Sequence, residues 1–278
     1  MTRLTAALGA LLLTLSVLLS GGTGTPSASA RTPMTFRIAT YNVLGDVHTA
    51  PYTHDDRFAP SRIRAEWMGD AFRLLGTPDI VGMQEVEKVQ FQSIMRATSG
   101  HYAAWPGTQL GDTGSVQQSL IWRTSVWEAT AKQTITIPFI KWQRKQPVVR
   151  LKHRATGREI WVINVHNAPR DLQAQRNEAV KIEIAKIKEL RATGLPVFFI
   201  GDLNEKQTVF CKVVGQTDLY SPLGGSATAT TCDPPTGMRV DWIFGSSDVT
   251  FDTFSMVRGP LVARSTDHHV PIGKVTIP

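Results

Sequence analysis

From residue 36 onward, short β-branched apolar runs alternate with stretches whose apolar residues recur at helical spacing. Phe36 to Val43 reads as a buried strand. Ser61 is placed to cap a helix over Arg62 to Leu75, with Ile63, Trp67, Met68, Ala71 and Leu74 on its apolar face and Gly76 as the stop. Asp79 to Gln84 is a second strand, and a helix from about Glu87 to Thr98 follows it. A strand-rich stretch comes next: Gln118 to Trp122, Trp127 to Ile137, Pro147 to His153 and Glu159 to Val165. Asp171 is placed to cap a long helix to Arg191, with Leu172, Ala179, Ile182, Ile184, Ile187 and Leu190 as its apolar side. Leu195 to Ile200 is a fully apolar strand, and Val240 to Phe244, Val249 to Phe254 and His269 to Thr276 are the last three.

Several of these strands are apolar on both faces, and neighbouring strands are often joined too tightly for helical crossovers. That combination predicts an α+β fold in which two mixed sheets pack face to face with helices outside them. No Gly/Ser/Pro linker or repeat divides residues 31–278, so one domain is predicted there.

The first thirty residues follow a different pattern. Arg3 precedes an apolar run from about Leu4 to Leu19, and small residues lead to Ala28-Ser29-Ala30. This is the layout of a cleavable export signal, and the run is short for an anchor. Removing it leaves 248 of the 278 residues and lowers the net charge from +7 to +6 with the loss of Arg3. A positive excess suits a phosphate-rich partner, as does the Ile140-Lys141-Trp142-Gln143-Arg144-Lys145 segment, where Trp142, Arg144 and Lys145 are candidate substrate contacts. The same segment also reads as a solvated hairpin. The two cysteines, Cys211 and Cys232, read as a disulfide in an oxidising compartment, with two buried thiols as the alternative.

Chemistry-bearing residues sit where the apolar runs begin or end. Four runs finish at Asn42, Glu85, His166 and Asp202; two others begin at Asp241 and just after Asp267-His268. Mixed strand directions allow all six to meet on one rim between the sheets. Asn42, Glu85 and Asp267 offer hard oxygen ligands suited to Mg²⁺ or Mn²⁺, and no H-E-x-x-H stretch points to zinc. Asp202 and Asn204, in Gly201-Asp202-Leu203-Asn204, are suited to orienting and deprotonating a water. Asp241 is a candidate to hold one ring nitrogen of His268 and favour its imidazolium, with His166 as a second histidine. The other histidines, His48, His54, His101, His153 and His269, read as structural or solvent-facing. The set is chemically sufficient for hydrolysis of a phosphate ester by in-line water attack beside one divalent ion.

Taken in order, Asn42, Gln84-Glu85, His166, Gly201-Asp202-Leu203-Asn204, Arg239-Val240-Asp241-Trp242 and Asp267-His268 resemble the motif series of the endonuclease/exonuclease/phosphatase superfamily. The resemblance runs from about Phe36 to Ile277 and implies a DNase I-like, four-layered α/β sandwich. It implies Glu85 at the metal, Asp202 and Asn204 on water and phosphate, and an Asp241–His268 pair. His166-Asn167-Ala168-Pro169 and the cysteine pair resemble the DNase I branch in particular. The chain departs from that branch at Asp267-His268-His269-Val270-Pro271, whose proline is one position late, and at Gly224-Gly225-Ser226, which lacks the acid of a calcium-holding loop. Calcium is therefore not implied. The first expectation for activity is a secreted endonuclease acting on DNA, with RNA also open. The second is a sphingomyelinase-type lipid phosphodiesterase or a phosphomonoesterase, for which Pro138-Phe139-Ile140 with Trp142 would meet the membrane. A non-catalytic module on the same fold ranks last. No protein partner is implied, and a monomer is the default.

Overall fold

The computed structural model describes residues 32–49, 51, 53, 57–107 and 118–278. The predicted export signal and His54 lie outside these residues. In chain order the strands are β1 (Met34–Asn42), β2 (Ile80–Gln84), β3 (Tyr102–Trp105), β4 (Gln118–Arg123), β5 (Trp127–Phe139), β6 (Trp142–His153) and β7 (Glu159–His166). They continue with β8 (Val197–Asp202), β9 (Leu219–Tyr220), β10 (Ser226–Ala227), β11 (Cys232–Asp233), β12 (Asp241–Ser246), β13 (Thr250–Val257) and β14 (Val270–Ile277). The helices are α1 (Ser61–Leu74), α2 (Lys88–Ala97), α3 (Gln173–Arg191), α4 (Gln207–Gln216) and α5 (Pro260–Ser265).

Two six-stranded sheets form, ordered β13-β14-β1-β2-β4-β3 and β5-β6-β7-β8-β12-β9. Both are mixed: β1 and β2 are parallel, as are β7 and β8, while their other neighbours are antiparallel. Strand alternation explains the layering. On β1, Phe36 and Ile38 join the core between the sheets, with Leu120, Val162, Phe198 and Ile200. Ala39 and Tyr41 instead pack with Met68, Phe72 and Ile94 of α1 and α2. On β8, Val197 and Phe199 pack with Ala179, Ile187 and Phe210 of α3 and α4. Three apolar layers thus separate four layers of secondary structure. Each large side chain in them contributes on the order of 1.5–3 kcal/mol.

Some local expectations are corrected. Ser61 is the first residue of α1, and the capping position is Pro60, with no side-chain cap. Ser61 Oγ instead donates to Asp46. The buried side of α1 is Arg64, Ala65, Met68, Ala71 and Phe72, whereas Ile63 and Leu74 are exposed. The inward placement of Arg64 turns the helix away from its most hydrophobic outline. On α3, Leu172 takes the capping position that Asp171 was expected to hold. Arg176, Val180 and Glu183 join the buried side of α3, while Leu172 and Ile182 are only partly covered. Helices α4 and α5, strand β3 and the two-residue strands β9, β10 and β11 were not foreseen. The β5–β6 hairpin is longer than its apolar run suggested and turns at Ile140. Cys211 on α4 and Cys232 on β11 form a disulfide.

Candidate active site

The parallel pairs set the rim. Asn42 and Gln84 are register partners on β1 and β2, so Asn42 and Glu85 leave the first sheet side by side. His166 and Asp202 are partners on β7 and β8, and Asp241 on β12 is opposite Asp202. Asp267-His268 enters β14 at the same edge, tied there by a Thr266 hydroxyl donating to Asn42 O at 2.7 Å.

Close packing beneath the rim depends on two glycines, Gly82 between the sheets and Gly201 between β7 and β8. A Cβ at Gly82 would lie 2.3 Å from Asn164 Oδ1, in the space where Gln84 Nε2 donates to that oxygen at 2.5 Å. Gly201 has φ +143, and a Cβ there would lie 2.0 Å from Val165 O. The glycine thus lets β8 turn out against β7 and deliver Asp202.

Asn42 joins the two sheets. Its Nδ2 donates to Glu85 Oε1 at 2.8 Å and to Asp202 Oδ2 at 3.0 Å, while its Oδ1 accepts from the Leu44 amide. It therefore offers the cluster its N–H group, and would ligate a cation through oxygen only with the amide turned. Glu85 and Asn204 both hold left-handed backbone, at φ +58 and +47. Such strain costs about 1–3 kcal/mol per residue and persists where surroundings enforce it. At Glu85 the enforcing contacts are Asn42 and the Gly45 amide, 2.9 Å from Oε2. At Asn204 they are its own amide on Asp202 Oδ1 and its Nδ2 on Asn167 O, both 2.9 Å.

Asp241 holds His268 Nδ1 at 2.9 Å, and His268 Nε2 lies 3.8 Å from Asp202 Oδ2. Burial opposes the charge on His268, but Asp241 and then Asp202 outweigh it, and its pKa is pushed up to about 10. His268 is thus an imidazolium at neutral pH. His166 is the opposite case: burial holds its pKa below the ordinary value despite Asp202 and Glu85. Its Nε2 lies 3.5 Å from Asp202 and 3.9 Å from Glu85, and its buried Nδ1 has no partner among the described residues. Burial, then Asp241, raises the Asp202 pKa. Burial also works against ionised Glu85, yet His166, Asn42 and the Gly45 amide bring its pKa below the usual carboxylate value.

Ligand atoms of Glu85, Asp202 and His268 lie within 4.8 Å of one another. An imidazolium cannot ligate, so the oxygen side of the cluster, Glu85 with Asp202, is the part that fits a hard divalent cation. Asp267, half exposed, lies 3.9 Å from His268 Nε2 on the open side. A cleft of about 580 Å³ opens over the cluster, lined among others by Asn204, Arg144, Arg170, Phe139 and Asp267. Arg144 lines it, whereas Trp142 stands 65% exposed at the hairpin tip and Lys145 lies outside the lining. His48, expected to be structural or solvent-facing, also lines the cleft, with Nε2 3.4 Å from Glu85. Only its place shortly after Asn42 hinted at this.

The chain matches the Endonuclease/Exonuclease/phosphatase family over residues 39–268 and belongs to that family. The family comprises phosphoric-ester hydrolases that generally use divalent metals. Three of the solved structures that share the fold illustrate it. An endonuclease/exonuclease/phosphatase family protein from Bacteroides thetaiotaomicron is 19% identical with TM-score 0.69, covering 89% of this chain and 99% of its own. A mannosyl-6-phosphatase from the same organism is 20% identical with TM-score 0.67, covering 86% and 99%. D. rerio TDP2 complexed with single strand DNA product is 18% identical with TM-score 0.65, covering 87% and 98%. No curated protein is similar enough to count as a relative.

Proposed function

We propose that this protein is an exported, divalent-metal-dependent phosphodiesterase that cuts nucleic acid, with DNA as the first substrate. The observation that carries the reading is the convergence of Glu85, Asp202 and the Asp241-held His268 at the floor of a cleft that also presents Arg144 and Arg170. A bound divalent cation would supply Lewis-acid polarisation of a phosphoryl oxygen. Glu85, aided by Asp202, is the group to hold it. Asp202, its pKa raised by burial and Asp241, accepts the proton of the attacking water. Asn204, fixed by Asn167 O, orients that water or a phosphoryl oxygen. Imidazolium His268 donates from Nε2 to the oxygens on which charge develops, while Asp241 keeps Nδ1 protonated. His166, its pKa held down by burial, closes the inner wall. Arg144 and Arg170 meet flanking phosphates. Export is supported by the N-terminal pattern and by the disulfide.

The second reading, a lipid phosphodiesterase, is favoured by one feature: Ile140 and Trp142 are 46% and 65% exposed at the β5–β6 tip. One experiment separates the two. Protein lacking residues 1–30 is incubated with supercoiled plasmid and with choline-lipid vesicles, each in Mg²⁺ or EDTA. Plasmid nicking abolished by EDTA is the expected result; choline-phosphate release without nicking would overturn it. Asp202→Asn and His268→Ala should each lower turnover by at least ~100-fold.

A further inference from the structure

Behind the cleft, α3 carries a carboxyl group that the hydrolytic scheme does not use. Glu183 is fully buried on the face of α3 that packs toward β7 and β8. Its Oε2 accepts from Asn167 Nδ2 at 3.4 Å. Its Oε1 and the Oδ1 of the same Asn167 are both buried, and neither has a hydrogen-bond partner among the described residues. Two unpaired acceptors on two side chains already joined through their other atoms share one simple remedy. A proton on Oε1 turns it into a donor for Asn167 Oδ1 and closes a two-bond acid–amide ring.

The charges around the pair agree. Arg176, two turns earlier on α3, is committed to the carbonyls of Ala168 and Arg170, to Gln173 and to Glu205. Lys186 reaches Gln133 on β5 and Glu189. From α4, Lys212 bonds Asn177. Among the described residues no cation compensates a Glu183 carboxylate, and an unpaired buried charge is among the costliest groups in a protein. Burial alone accordingly carries its pKa up to about 8, against a small lowering by Asn167.

Asn167 is joined to the cleft by its backbone. Its amide donates to Asp202 O at 2.9 Å, and its carbonyl accepts from Asn204 Nδ2 at 2.9 Å. We propose that Glu183 is a positioning residue: as a neutral acid it locks the Asn167 side chain, and through the Asn167 backbone it fixes Asn204 and the exit of β8 at the reaction centre. The coupling to catalysis rests on the hydrolytic reading above; the neutral acid–amide ring does not.

The test compares Glu183→Gln and Glu183→Leu with the unaltered protein. A glutamine amide can close the same ring with Asn167 and cannot ionise. Glu183→Gln is expected to keep kcat on plasmid DNA within about twofold, and Glu183→Leu to lose it at least tenfold with KM little changed. Folding linkage gives a second readout that needs no activity. Glu183 holds its proton in the folded state up to about pH 8 and in the unfolded state only to about 4.5. The folded protein therefore binds more protons across that window, and this contribution to stability falls as pH rises through it. The melting temperature of the wild type relative to Glu183→Gln should decline from pH 5 to pH 8 and then level. A protonated-carboxyl infrared band at pH 7, absent from Glu183→Gln, is expected. A flat melting difference with no such band would refute the neutral acid. Full kcat in folded Glu183→Leu, or loss in Glu183→Gln equal to that in Glu183→Leu, would refute the positioning role. Should Glu183→Leu fail to fold, the kcat of Glu183→Gln above pH 8 decides: it is expected to hold while the wild type falls, and parallel profiles overturn the proposal. If the wild type itself hydrolyses nothing, the hydrolytic reading fails, while the melting and infrared results still judge the ring.

Discussion

Asp241 faces His268 with both carboxylate oxygens, at 3.0 and 2.9 Å from Nδ1. The pair lies beside Asp202, which is opposite Asp241 across β8 and β12. Two neighbouring buried carboxylates repel each other, and the imidazolium between them is what makes the arrangement tolerable. The pKa of His268 is therefore raised to about 10 from an ordinary 6.5. A raised histidine contributes stability that is complete below its unfolded pKa and is lost as pH climbs through the folded one. In EDTA, the melting temperature of wild type relative to His268→Gln should hold steady below about pH 6.5. It should then shrink toward pH 10. A difference that does not change with pH would mean that His268 is neutral in the fold.

Arg64 makes a second prediction. It is 1% exposed, and among the described residues its guanidinium hydrogen-bonds only to oxygen acceptors: Val43 O, Leu44 O, Ser265 O, Ala59 O and Thr49 Oγ1. Val43 and Leu44 follow Asn42, and Ser265 precedes Thr266-Asp267-His268. One side chain thus clamps two of the loops that form the rim. Lysine carries the charge but not the planar fork. Each buried acceptor left unmade costs about 1–3 kcal/mol. Arg64→Lys and Arg64→Met should both lose roughly 3 kcal/mol or more of stability in urea titrations, and the protein that remains folded should turn over more slowly. Wild-type stability in Arg64→Met would show that the clamp is dispensable.

Arg64 also marks where reading the sequence stops. The longer strands, the four layers and the shared rim were legible because apolar runs and their polar ends are local features. The inward side of α1 was not, because a buried arginine at a helical position reads as solvent-facing until the carbonyls that receive it are known. His48 faces solvent as expected, 52% exposed, but its place on the cleft was not legible, because its neighbour Glu85 is brought to it by β1–β2 pairing. The Ser61 and Asp171 caps failed because the chain enters α1 through Pro60 and α3 through Leu172. Glu183 was hidden as one more acid in a Lys/Glu-rich helix, and only burial distinguishes it.

The disulfide should matter to stability and not to chemistry. It joins α4 to β11, across a separation of 21 residues. Neither cysteine lines the cleft. Closing a loop of that length stabilises by about 3 kcal/mol. Cys211→Ser with Cys232→Ser, or reduction, should lower the melting temperature and leave kcat/KM of the folded protein within about twofold. A loss of activity without a loss of stability would link α4 to the site in a way the geometry does not show.

Arg144 tests the substrate. Its guanidinium carbon lies 3.6 Å over the Phe139 ring, and Phe139 in turn meets His166 edge-on at 5.0 Å. Burial lowers its pKa to about 10, with Glu85 opposing, so it is still a cation at neutral pH. A stacked arginine on the wall of the cleft suits a phosphate flanking the scissile bond, a contact made equally in the ground and transition states. Its removal should therefore raise KM and spare kcat. A charge-assisted hydrogen bond is worth about 1.5–3 kcal/mol, so Arg144→Ala should raise KM for DNA about tenfold or more. Losing one phosphate contact should also reduce the slope of log affinity against log salt by about 0.9. A small diester such as bis(p-nitrophenyl) phosphate, with no flanking phosphate, should be much less affected. An unchanged KM and salt slope on DNA would remove Arg144 from the substrate path and leave the exposed Ile140–Trp142 tip as the feature to test next, on lipid.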